Sequence, residues 1–204
     1  MNAPTNFLTA VPPRFGPMSA GLRMTIEEFW EADDFDELYR YELIDGVLVV
    51  TPPASDSKVN ANDTLGYLLR YYKEMNPIGC ILDSTMFERE VRTRCGIRRV
   101  DRAIWCGLGR LPNSRQDIPT IIVEFVSPGK KAFLRDYEEK RAEYLEIGAK
   151  EYWVIDRFQR QMTVFFSPPT EPSNRIVTES EIYSTPLLPG FELPLGKLLA
   201  HFSE

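Results

Sequence analysis

Apolar and polar positions change rhythm several times along the chain, and each rhythm predicts an element. Thr25-Ile26-Glu27-Glu28 has the form of a capping box and predicts a short acidic helix to about Ala32. Tyr41 to Val50 alternates about an Asp45-Gly46 pair, which reads as strand, tight turn, strand. After Thr51-Pro52-Pro53, a helix capped by Ser57 is predicted to run to about Met75, with Leu65, Leu68, Leu69 and Tyr72 on one side. Two strands follow, about Ile81 to Val91 and Ile97 to Trp105, joined at Arg94-Cys95-Gly96. Ile121 to Val126 is almost wholly apolar, the pattern of a central strand covered on both faces. A helix then runs to about Ile147 and closes at Gly148. Glu151 to Asp156 and Met162 to Phe166 form a predicted hairpin. A Pro-rich tail carries a weak strand near Ile182 and a last helix from Leu195. This order predicts an α/β fold of the mixed α+β kind, a mixed β-sheet flanked by helices, with an N-terminal helix and β-hairpin. Residues 1–23 read as a flexible Pro-rich arm, and residues 24–204 as one domain.

Three side chains break these patterns. Glu124 is the only charge inside the most hydrophobic strand. A buried carboxylate calls for a cation, a metal or several donors beside it. Asp101 sits in a predicted strand, where propensity disfavours it. In the helix after Glu124, advancing about 100° per residue from Phe133 puts Tyr137, Lys140 and Tyr144 on one apolar stripe. Each has a bland reading: a structural ion pair for Glu124, a strand bulge for Asp101, a snorkelling stem for Lys140. Together they have a chemical one. Two carboxylates and a strand carbonyl hold Mg²⁺ or Mn²⁺, and a lysine steadies developing negative charge at a phosphodiester.

Composition narrows the choice. The 204 residues include one histidine, His201, near the C-terminus and expected on the solvated surface. This excludes Ser-His-Asp and Cys-His devices and His-rich metal sites. Three cysteines without C-x-x-C spacing form neither a disulfide framework nor a metal site, and suit a reduced, cytoplasmic protein. No apolar run is long enough to span a membrane. The net charge of −6 is unevenly spread. Residues 25–45 hold nine acids and one base, whereas residues 88–102 hold six arginines and three acids. That arginine cluster reads either as a solvated hairpin or as a phosphate-facing patch.

Taken in order, Tyr41-Glu42-Leu43-Ile44-Asp45-Gly46, Thr51-Pro52-Pro53-Ala54-Ser55, Val100-Asp101, Ile122 to Pro128, Asp136 to Tyr144, Glu151 to Asp156 and Leu188-Pro189-Gly190-Phe191 resemble the Uma2 family of restriction-endonuclease-like proteins, a branch of the PD-(D/E)xK nuclease superfamily. The resemblance covers roughly residues 24 to 200. It implies a restriction-endonuclease-like fold and Mg²⁺-dependent (or Mn²⁺-dependent) endonuclease cleavage of DNA. Asp101 and Glu124 match the metal-binding acids, and the backbone carbonyl of Phe125 a further ligand. Lys140 matches the lysine that this branch supplies from the following helix, and Glu42 an additional acid. Two positions depart from the pattern: Val100 stands at the motif's proline, and Lys58 stands near a point where the family often has histidine. The arginines of the cluster, Arg92, Arg94, Arg99 and Arg102 foremost, are candidates for phosphate contact. A homodimer in which each copy cuts one strand is compatible with this reading. The alternative is a catalytically inactive protein that keeps the fold as a nucleic-acid-binding or oligomerisation module.

Overall fold

The computed structural model describes residues 14–202. Thr25 accepts the Glu28 N–H at 3.1 Å and Glu28 accepts the Thr25 N–H at 2.7 Å, so the capping box starts α1 (Ile26–Glu31) as predicted. β1 (Arg40–Ile44) and β2 (Val47–Thr51) form the hairpin about Asp45-Gly46. α2 (Asp56–Met75) buries Leu65, Leu69 and Tyr72. β3 (Leu82–Thr93), β4 (Gly96–Cys106) and the fully buried β5 (Ile121–Phe125) follow.

The predicted helix beyond Gly129 is broken in two. α3 (Lys130–Leu134) and α4 (Lys140–Glu146) are joined by one π-turn over Arg135–Glu139. The hairpin of β6 (Glu151–Asp156) and β7 (Gln161–Phe166) is extended by β8 (Asn174–Thr178), a strand the Pro-rich tail did not announce. β9 (Ile182–Tyr183) pairs with β10 (Leu193–Pro194), and α5 (Leu195–Leu199) follows.

One eight-stranded sheet organises the chain, antiparallel except for the β5–β6 pair. Helices cover both of its faces. On one side α2 and α5 pack over Ile104, Ile121, Val123 and Trp153. On the other, Tyr144 of α4 packs over Val100, Ala103, Ile122, Tyr152 and Val154. A third cluster joins Phe29 of α1 to Tyr41, Leu43 and Leu48. Residues 14–23, expected to belong to a loose arm, are docked on this cluster. Phe15 is buried, and Leu48 exchanges backbone hydrogen bonds with Gly21 and Leu22, both at 2.8 Å. Apolar burial of Phe15 outweighs the mobility that the prolines suggested. The rest of the expected arm, residues 1–13, lies outside the described residues.

The pairing of β4 shapes the site. One edge of β4 pairs with β3 along its whole length. Its other edge is shared by two strands. β1 pairs there only at Leu43↔Ile97 and Ile44↔Gly96, and β5 only at Arg102↔Val123, Ala103↔Ile122 and Ile104↔Ile121. Arg98 to Asp101 therefore face a fork, where the start of β1 and the end of β5 diverge. Gly96 is required at the β1 junction: its φ is +140°, and a Cβ would stand 2.0 Å from the Leu43 carbonyl oxygen.

Candidate active site

Two acidic side chains close the fork. Where the β4–β5 ladder stops, the Phe125 N–H donates to Asp101 Oδ2 at 2.7 Å instead of to a backbone carbonyl. Where the β1–β4 ladder stops, the Arg99 N–H donates to Glu42 Oε1 at 2.9 Å. Backbone donors left inside a protein must find an acceptor, and each carboxylate supplies one. Strand alternation also breaks at Asp101. Val100 faces the α4 layer, yet Arg102, two residues on, faces α2. On the facing strand Glu88 adopts φ +51°.

Asp101 is 1% exposed and held by two cations, Lys58 at 2.8 Å on Oδ2 and Arg40 at 3.2 Å on Oδ1. Burial opposes its charge, but Lys58, Arg40 and Lys140 outweigh burial and hold the carboxyl down to about 2. Glu124 points to the α4 layer with Ile122. Its Oε1 accepts Lys140 Nζ at 2.7 Å and the Tyr144 hydroxyl at 3.0 Å. Burial, aided by the charges of Asp101 and Asp136, pushes this carboxyl up to about 7 despite the lysine. Burial opposes the Lys140 ammonium too, but Glu124, Glu42 and Asp136 overcome it and raise its pKa. Asp136 stands 3.7 Å from Lys140 and is itself held by Arg135 at 3.0 Å. The π-turn carries Arg135 and Asp136, an irregularity frequent at functional sites.

Asp101, Glu124, Lys140, Glu42 and Phe125 all line one cleft of about 630 Å³. Seven basic and three acidic side chains line it, so the net charge of −6 does not describe this cavity. Sequence reasoning missed Arg40, Lys131, Arg135 and Arg157 on its walls, because each is an ordinary polar residue in its local pattern and only the fold brings them to one cleft. Lys58 was visible only as a departure from a motif.

The arginine cluster divides. Arg99 lines the cleft. Arg92 stacks over Trp30 at 5.6 Å, and the exposed Arg94 reaches Glu146 at 3.2 Å, both outside the cleft. Arg102 is not a phosphate contact. It is buried, donating to Asn62 Oδ1 and the Asn62 carbonyl at 2.7 Å each and to Thr85 at 3.0 Å, against Gly66, where a Cβ would meet its guanidinium at 2.7 Å. The broken alternation at Asp101 turned it under α2. Arg98 is likewise consumed, by Glu143 and at 4.0 Å by Glu42. His201 is exposed, as expected, and contacts Thr64 at 2.7 Å.

Among the described residues no three His, Cys, Asp or Glu side chains are grouped closely enough to cage a metal ion. Mg²⁺ does not demand a full protein cage. One or two carboxylates suffice, with waters completing the shell. Asp101 and Glu124 would be neighbours if the β4–β5 register continued one step beyond Arg102↔Val123, and their charges act on one another. This pair of hard oxygen donors fits such an ion once Lys58 and Arg40 release Asp101.

The match to known families follows this geometry. The family model described as Uma2, "Putative restriction endonuclease", matches residues 26–196. The chain belongs to the Uma2 family. A solved structure described as a putative nuclease belonging to DUF820, from Anabaena variabilis ATCC 29413, shares the fold, with a TM-score of 0.66 at 12% identity, covering 88% of this chain and 99% of that one. None of the curated proteins matches the sequence. The mixed sheet with helices on both faces is thus a fold this Uma2 chain shares with that protein. No helix among the described residues is long and apolar enough to cross a membrane.

Proposed function

We propose that this Uma2 chain is a metal-dependent endonuclease that hydrolyses DNA phosphodiester bonds. The observation that carries the proposal is the meeting of Asp101, Glu124 and Lys140, from two strands and a helix, in one basic cleft. Asp101, Glu124 and the Phe125 carbonyl would hold Mg²⁺ or Mn²⁺. When bound, such an ion supplies charge for a phosphate oxygen and acidifies water. The chain's own groups supply the rest. Arg99, Lys131 and Arg135 draw the polyanion in. Lys140, fixed by Glu124 and Asp136, presents an ammonium where negative charge grows on the phosphate. Glu42 orients Arg99 through its backbone and adds to the negative field that keeps Lys140 charged.

A second reading, a nucleic-acid-binding protein that works without metal, is favoured by one observation: both oxygens of Asp101 are already held by Lys58 and Arg40. Two measurements separate them. A working site predicts cleavage of plasmid DNA with Mg²⁺ or Mn²⁺ and a Mn²⁺-dependent rise in melting temperature. Asp101→Asn and Glu124→Gln should lose both. DNA binding with neither cleavage nor a melting shift would establish the second reading.

A further inference from the structure

Beside the cleft lies a second cavity of about 350 Å³, and its chemistry differs. Three basic and three acidic side chains line it, so it has no net charge to offer a phosphate. Its apolar wall includes Leu38, Tyr39, Val59 and Phe87. Leu38 and Phe87 are large apolar groups left 73% and 64% exposed. Phe87 stands there because it faces Arg102 across the β3–β4 ladder, and Arg102 turns under α2. The two cavities are contiguous. Arg40, Lys58 and Arg99 line both, and Arg40 reaches Glu88 in one and Asp101 in the other.

A neutral pocket with an exposed aromatic wall, opening directly from a basic cleft, repeats the chemistry of a nucleotide. The phosphate belongs on the basic side, and the flat apolar base, with its hydrogen-bonding edge, on the other. Asp63 and Glu37 add acceptors at the rim. Bases stack on aromatic side chains with little regard to identity, whereas a base inside a duplex is already stacked and paired. We propose that this second cavity receives one unpaired nucleobase against Phe87, adjoining the phosphate bound in the cleft, so that the protein favours single-stranded or locally unpaired DNA over an intact duplex. The proposal deepens the nuclease reading and rests on it.

The test is fluorescence anisotropy with the full chain in a chelating buffer, where no strand is cut. The probes are a labelled single-stranded oligonucleotide, its blunt duplex, and a fully abasic chain of the same length. The single strand should bind at least tenfold more tightly than the duplex. Phe87→Ala should lose roughly 5- to 150-fold on the single strand, the range for one base–aromatic stack. It should leave duplex and abasic binding unchanged and, at an exposed position, the melting temperature as well. Equal affinity for both forms, a preference for the duplex, or an unaltered single-strand affinity in Phe87→Ala overturns the base pocket while leaving the nuclease reading intact. Failure of every probe to bind, both in the chelating buffer and with Ca²⁺ in place of the chelator, overturns that reading, and the base pocket with it.

Discussion

Lys140→Met should cost more stability the higher the pH. Lys140 and Glu124 are both buried and 2.7 Å apart. Removing one partner of a buried ion pair costs about 3–5 kcal/mol when the other must stay charged. Glu124 has a way out, because its carboxyl already sits at about 7, and without the ammonium it moves higher. A folded pKa above the ordinary value gives stability that is complete below the ordinary value and is lost as pH rises through the folded one. In the wild type that loss spans about 4.5 to 7. In Lys140→Met it continues above 7, at up to about 1.36 kcal/mol per pH unit. The cost of the substitution should therefore be constant up to about pH 6 and grow by up to about 2.7 kcal/mol between pH 7 and 9. Urea unfolding at several pH values, with unchanged m, measures it. The double variant Lys140→Met/Glu124→Gln removes the titrating group, so its cost should fall as the wild type loses stability between about pH 4.5 and 7 and lie flat above 7, where the single variant's cost climbs. A single-variant cost that does not change with pH, or a double variant with the same slope, refutes the reasoning.

Arg102→Leu should destabilise by roughly 2–4 kcal/mol, because it strips Asn62 and Thr85 of buried hydrogen bonds. Chemical denaturation checks it, and unchanged stability would return Arg102 to the surface. Arg99→Ala, in the cleft, should weaken DNA binding and lower the salt slope by about one unit, whereas Arg94→Ala should alter neither. Affinities measured across a salt series decide between them.

Glu124 and Lys140 were legible because each violates a local pattern: a charge in an apolar strand, and a cation on an apolar helical stripe. The helical arithmetic for Lys140 assumed a regular helix. The π-turn breaks that regularity, yet Lys140 is buried beside Glu124 all the same. Sheet alternation failed at Arg102, because the pleat reverses at Asp101; the strand-bulge reading of Asp101 pointed to that reversal, but not to the burial of Arg102 that follows from it. Arg40 was invisible in its role: its partner Asp101 lies 61 positions away, and only the fork brings them together. β8 was obscured by the prolines that flank it, although its backbone pairs regularly with β7.

The fork also bears on how relatives of this chain are to be read. Glu42 and Asp101 each terminate a ladder by accepting a backbone N–H, so selection for folding alone retains an acceptor at both positions. Their presence in a descendant testifies to an intact sheet, with or without chemistry. Glu124 and Lys140 cap no strand, so on the nuclease reading a lineage without cleavage could exchange them together for an apolar pair once the Tyr144 hydroxyl, which donates to Glu124, is replaced as well. On that reading, joint loss of that pair, with both ladder caps kept, is the signature of a member that does not cleave.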